Sequence, residues 1–247
     1  MKRTLSLILS LLLLLSATAC ATPTGKPSTN PPQGNLTVDG VTFLPSEQVT
    51  NYVRIEFEGF GTVLAELSPK DAPLTVANFQ SLVAKGFYNG LTIHRVEPGF
   101  VIQGGDPKGN GLGGSDLAIK GEFAANGVVN NLSHRRGVLS MARKGNDYNS
   151  ATSQFFVCLD TETCVYSLDG KYAAFGWVVS GMDVIDRIAG VKVSISDGIR
   201  VPNERIVISS MSFVAPESAE TEGETSAVTN PVTDTAVTTD GAVIDPT

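Results

Sequence analysis

His94-Arg95-Val96-Glu97-Pro98-Gly99-Phe100-Val101-Ile102-Gln103-Gly104-Gly105-Asp106 reads as two short strands on either side of a Pro-Gly turn. Proline presets the backbone angle that a turn needs, and glycine takes the conformation that other residues resist. Side chains alternate along a strand, so Arg95 points away from the face of His94, and Gln103 away from that of Ile102.

The same alternation continues on both sides of this segment. In Tyr52-Val53-Arg54-Ile55-Glu56-Phe57-Glu58, Val53, Ile55 and Phe57 share one face. Gly59-Phe60-Gly61 turns the chain, and Thr62 to Leu67 completes a hairpin. Ser68-Pro69-Lys70-Asp71-Ala72-Pro73 breaks the sheet and leads into a helix from Leu74 to Ala84. Val76, Phe79 and Val83 fall at helical spacing there, and Gly86 lies just past the end. Further strands are expected at 91–97, 100–104, 137–142, 153–158 and 173–179. A second helix at 181–189 carries Val184, Ile185 and Ile188 on one face. Arg205 to Phe213 is a closing strand with an irregularity at Ser209-Ser210. Many strands with two isolated helices indicate a mainly β fold: an antiparallel barrel, closed or nearly so, with helices over its ends.

Composition narrows the chemistry. The formal charge of −7 disfavours a basic nucleic-acid-binding face. The acidity lies mainly in the tail: between 48 and 214 there are 15 basic and 16 acidic residues, so the middle is nearly neutral. Two His and three Cys are too few for two zinc sites and barely suffice for one, so no metal is expected. Gly109-Asn110-Gly111-Leu112-Gly113-Gly114 imitates a nucleotide loop. No strand-to-helix turn or Gly-Lys-Ser/Thr accompanies it, and it reads as a flexible surface loop. No G-x-S-x-G elbow is present, which removes the commonest serine hydrolase signature. His94 and His134 are expected to be hydrogen-bonded structural residues, and Arg135, Arg136, Arg143 and Lys144 a small solvated basic cluster.

Three more segments stand beside the first: Gly137-Val138-Leu139-Ser140-Met141-Ala142-Arg143, Ser153-Gln154-Phe155-Phe156-Val157, and Leu168-Asp169-Gly170-Lys171-Tyr172. Together, in this order, they resemble the cyclophilin-type peptidyl-prolyl isomerases from about Tyr52 to Phe213. The resemblance implies an eight-stranded antiparallel barrel capped by two helices, isomerase activity on X-Pro bonds, and no cofactor. It assigns Arg95 as the catalytic arginine and Gln103 as the glutamine that orients it. Phe100, Val101, Phe156 and Leu168 match positions that line the proline pocket. Ala142 and Arg143 match the strand that pairs with the peptide backbone, Gln154 a groove glutamine, and Tyr172 a place where many members have His. A tryptophan common before L-D-G is Ser167 here, which bears on cyclosporin affinity more than on catalysis. The competing class is a module that binds proline peptides without useful turnover; intact Arg95 and Gln103 favour the enzyme.

The termini carry an address. Lys2 and Arg3 precede a Leu-rich run from Leu5 to Leu15, followed by Ser16-Ala17-Thr18-Ala19-Cys20. This is a secretory signal, too short to span a membrane. Its end resembles a bacterial lipobox, which implies acylation of Cys20, although Ala17 stands where Leu is usual. The expected division is signal 1–19, lipidated Cys20 with a flexible tether 20–48, isomerase domain 49–214, and a disordered acidic tail 215–247. The expected protein is a monomer exported and anchored to the outer face of the bacterial membrane, or otherwise secreted. Its partners are proline-containing segments of unfolded or exported proteins. With Cys20 lipidated, Cys158 and Cys164 form an even count in an oxidising compartment and are candidates for a disulfide.

Overall fold

The computed structural model describes residues 36–38, 41–45, 49–196 and 198–216. In chain order the strands are β1 Leu36–Val38, β2 Val41–Pro45, β3 Tyr52–Phe57, β4 Gly61–Leu67, β5 Thr92–Glu97, β6 Val101–Asp106, β7 Val138–Met141, β8 Phe155–Cys158, β9 Ala174–Ser180, β10 Val193–Ser196, β11 Ile199–Pro202 and β12 Ile206–Pro216. The helices are α1 Pro73–Ala84, α2 Thr161–Leu168 and α3 Met182–Ala189. Eight strands run in the order β12-β3-β4-β9-β7-β8-β6-β5, and β5 returns to β12, which closes an antiparallel barrel.

Two turns of sequence explain the closure. In β3, Val53, Ile55 and Phe57 are buried on one face as the sequence predicts, and Arg54 on the opposite face is buried too. In β12 the register shifts between Ile208 and Ser210, as the Ser209-Ser210 irregularity anticipates. An extra residue reverses the alternation there, so Ile206 and Ile208 face the core before the bulge, and Met211 and Phe213 after it. One strand can thereby pair with β5 at one end and β3 along the rest.

Inside the barrel, Phe79 of α1 lies at ring-centroid distances of 5.0 Å from Tyr88, 5.7 Å from Phe155 and 5.0 Å from Phe175. Val184, Ile185 and Ile188 of α3 join the same core. The first turn of α1 has Pro73 and no side-chain cap of its own. Glu122, far along the chain, supplies one: its buried carboxylate accepts the N–H of Leu74 at 3.0 Å and of Thr75 at 2.8 Å.

Three features differ from the sequence expectation. First, β1 and β2 lie inside the stretch expected to be tether; β2 pairs with the last residues of β12, Pro45 opposite Val214 and Phe43 opposite Pro216. Strand pairing therefore extends on both sides of the expected 49–214 domain. Second, α2 adds a third helix. It buries only Cys164 and Leu168, too sparse a pattern to read as a period, but Asp160 caps it by accepting from Thr163 N–H at 2.8 Å. Third, β10 and β11 form a two-stranded hairpin outside the barrel. The signal, Cys20 and the acidic tail beyond 216 lie outside the described residues.

Candidate active site

β5 and β6 pair so that Arg95 stands opposite Gln103. Both side chains rise on one face, and Arg95 Nη1 donates to Gln103 Oε1 at 3.3 Å. Gln103 Nε2 donates in turn to Gln154 Oε1 at 2.9 Å, and Gln154 Nε2 to the carbonyls of Gly111 and Gly113 at 3.0 and 2.7 Å. This relay has a single polarity. Each amide can accept on one side only by donating on the other, so the carbonyl end of Gln103 is turned toward the guanidinium. Burial draws the Arg95 pKa below the ordinary arginine value, with Tyr172 opposing and Arg200 adding to the fall. A guanidinium starts so high that it remains a cation at any physiological pH.

Beside Arg95 lies a cavity of about 210 Å³ lined by Arg95, Phe100, Val101, Gln103, Ala142, Arg143, Phe156, Leu168 and Tyr172. These residues come from three strands, one helix end and the loops between them. The barrel brings together all but one of the substrate-contact residues expected from the sequence. The exception, Gln154, lines a neighbouring cavity of about 460 Å³ that shares Gln103, Ala142 and Arg143 with the first.

Arg143 is the partition between the two cavities. Its Nε and Nη2 donate to the carbonyl of Lys171, and its Nη1 to those of Lys144 and Gly145. The guanidinium carbon lies 4.5 Å from the ring centre of Tyr172 and 4.7 Å from that of Tyr148. A side chain so fully engaged shapes the groove instead of reaching for a peptide. Arg136 is paired with Asp186 at 2.6 Å, and it stays exposed, as do Arg135 and Lys144; of the four basic residues expected to be solvated, Arg143 alone is half-buried.

The glycine-rich loop 109–114 is held, not a free surface loop. The Asp106 carboxylate accepts the N–H of Lys108, Asn110 and Gly111 at 2.8, 3.1 and 2.6 Å. Burial raises the Asp106 pKa, but the surrounding backbone amides outweigh it and keep the carboxyl below its usual range. A Cβ on Gly113 would fall on that carboxylate, so the loop can close over Asp106 only with glycine there.

Under the pocket, Asp169 accepts from Ser133 Oγ at 2.6 Å, from the His134 N–H at 2.7 Å and from His134 Nδ1 at 2.8 Å. With its proton on Nδ1, the neutral ring accepts the Ser140 hydroxyl at Nε2, 2.9 Å away. The network ties the loop before β7 to the turn after Leu168, and the His134 ring stacks on Phe156. His134 is thus the hydrogen-bonded structural residue expected. His94 is buried as well, but neither of its ring nitrogens has a partner at hydrogen-bonding geometry.

Burial lowers the pKa of both histidines, against the pull of Asp106 on His94 and of Asp169 on His134. The unfolded chain then binds protons that the folded chain refuses. Stability is full above the unfolded value of about 6.5 and declines as the pH falls below it. The urea midpoint is expected to drop between pH 7 and pH 5; an unchanged midpoint would contradict neutral, buried histidines. Below about pH 4 the loss should steepen, because Asp106 and Asp169 also have lowered pKa values.

Cys158 and Cys164 are free thiols, both fully buried, so the expected disulfide is not formed in this structure. The Cys164 thiol donates to the Phe100 carbonyl at 3.2 Å, which ties α2 to the pocket wall. The hydrogen bond with Cys164 and burial together push the Cys158 thiol well up. The same contact draws the Cys164 thiol down, so its protection rests on burial: with both side chains out of reach of the reagent, neither should be alkylated by iodoacetamide at pH 8 in the native protein, and both should be after unfolding. Peptide mass mapping reads the difference.

Among the cavity's lining residues there is no Ser, Cys, His or carboxylate. An apolar pocket rimmed by a permanent cation and oriented amides is equipment for acting on an amide without a covalent step. The cyclophilin type peptidyl-prolyl cis-trans isomerase/CLD family matches residues 52–213. A peptidyl-prolyl cis-trans isomerase of Schizosaccharomyces pombe, ppi1, is 44% identical over 138 residues, covering 56% of this chain and 84% of its own. The peptidyl-prolyl cis-trans isomerase B of Bacillus subtilis is 47% identical over 118 residues, covering 48% of this chain and 76% of its own. A cyclophilin type isomerase of Cryptosporidium parvum, crystallised in the presence of the dipeptide Ala-Pro, superposes with a TM-score of 0.56 at 30% identity, over 65% of this chain and 97% of its own. The chain belongs to the cyclophilin-type peptidyl-prolyl cis-trans isomerases, and its activity is the cis-trans isomerisation of X-Pro bonds.

Proposed function

We propose that this isomerase works outside the cell membrane, held there by a lipid on Cys20, and speeds the folding of exported proteins. The observation that carries the catalytic part is the Arg95 guanidinium on the rim of the apolar cavity, oriented through Gln103. The X-Pro bond resists rotation by roughly 18–20 kcal/mol because the amide nitrogen is conjugated. Twisting the bond localises the lone pair on that nitrogen. With the prolyl ring held among Phe100, Val101, Phe156 and Leu168, Arg95 faces the nitrogen and stabilises the twisted amide more than either planar form. This differential is what accelerates a reaction. The acyl side rotates while the ring stays anchored, and no proton changes place. NMR exchange spectroscopy on a short Ala-Pro peptide tests the reading: cis and trans signals should exchange faster with the protein present. Unchanged exchange would leave a binding module.

The address rests on sequence: Lys2 and Arg3, the Leu-rich run, and small residues leading into Cys20. Metabolic labelling with a fatty acid should mark the wild type and not Cys20→Ser. Unlabelled protein recovered free in the medium would make it a secreted enzyme instead.

A further inference from the structure

Glu97 puts a carboxylate beside the catalytic cation. Its Oε2 lies 3.5 Å from Arg95 Nη2. The two residues are on the same face of β5, two positions apart. A carboxylate this close ordinarily closes onto a guanidinium in a forked pair at about 2.7–2.9 Å. Such a pair would consume the donors that Arg95 needs for the prolyl amide, and would cancel its charge. Here the contact stays long. The other oxygen of Glu97, Oε1, is taken by Arg200 Nη1. Arg200 stands on β11, in the hairpin that lies outside the barrel.

We infer that Arg200 is a positioning residue for the isomerase reaction: by engaging Glu97 it keeps that carboxylate from closing on Arg95. The inference rests on the reading that Arg95 acts on the prolyl amide. The trio then carries a net charge of +1 where the Arg95–Glu97 pair alone would carry none. The hairpin contributes to the reaction without touching the pocket, since Arg200 is not among the residues that line it. Glu97 holds the central place: Arg95 on one oxygen, Arg200 on the other, with Gln103 steadying the far side of Arg95.

A double-mutant cycle on the full chain tests this. Wild type, Arg200→Gln, Glu97→Gln and the double variant are compared by kcat/KM on one X-Pro peptide, with thermal melting to establish that each is folded. Arg200→Gln should lower kcat/KM about fivefold, within the range of coupling between residues of one network. The fall should lie in kcat more than in KM. In the Glu97→Gln background, the same Arg200→Gln change should have no effect beyond about twofold. Arg200→Lys, which keeps the charge, should retain most of the activity. An Arg200→Gln enzyme with the wild-type kcat/KM would overturn the inference, making the contact an ordinary surface ion pair. An equal loss with and without Glu97 would also overturn it, in favour of direct contact between Arg200 and peptide. A wild type without isomerase activity would instead sink the reading of Arg95 on which the inference rests.

Discussion

Arg95→Ala is expected to lower kcat/KM for X-Pro isomerisation by roughly ten- to a hundredfold while leaving the thermal midpoint nearly unchanged. A charge-assisted hydrogen bond contributes about 1.5–3 kcal/mol, and this one is made fully only when the amide is twisted. The loss should therefore appear in kcat. The fold should survive because the Arg95 side chain contributes to the rim of the cavity and not to the barrel core. Arg95→Lys should recover little, since an ammonium keeps the charge but lacks the planar fork that Gln103 orients. NMR line-shape analysis of a proline peptide measures both variants, and a folded Arg95→Ala protein with the wild-type exchange rate would remove the mechanism.

Phe79→Ala is expected to cost roughly 3–5 kcal/mol of folding stability. Phe79 is fully buried where α1 enters the barrel, in ring contact with Tyr88, Phe155 and Phe175. Those three rings belong to different parts of the chain, so no single local shift can fill the void. For a domain of this size the Tm should fall by roughly 6–20 °C. The damage should reach the site too, because Phe155 stands beside Phe156, a lining residue of the proline pocket. Differential scanning calorimetry reads the first effect. A loss under about 1 kcal/mol would mean that α1 is not part of the cooperative core.

Residues close in sequence declare themselves when their pattern repeats at the period of the element they form. Val53, Ile55 and Phe57 in β3, and Val184, Ile185 and Ile188 in α3, could be read directly, because burial on one face is a local property of the chain. The two strands about the Pro-Gly turn were legible for the same reason; that Arg95 stands opposite Gln103 is seen in the register of the fold. Likeness to known isomerases then pointed to the substrate-contact residues, and the barrel gathers all of them but Gln154 around one cavity. What sequence could not supply were the partners that reach across the barrel. Glu122 caps a helix that begins nearly fifty positions earlier, 48 and 47 residues along the chain from Leu74 and Thr75. Asp169 holds His134 and Ser133 from beyond α2, and α2 itself buries too few residues to show a period.

The chain by itself determined its barrel, two of its helices and its family, since alternation, turn residues and motif order are written locally. Tertiary structure alone decided that Arg143 is spent on carbonyls and rings, that the glycine-rich loop is pinned by Asp106, and that Arg200 meets Glu97. Each of those depends on where a side chain's charge or donors find a partner. Hydrogen bonds and ion pairs act over a few ångströms in space, and closure of the barrel is what brings such groups within reach.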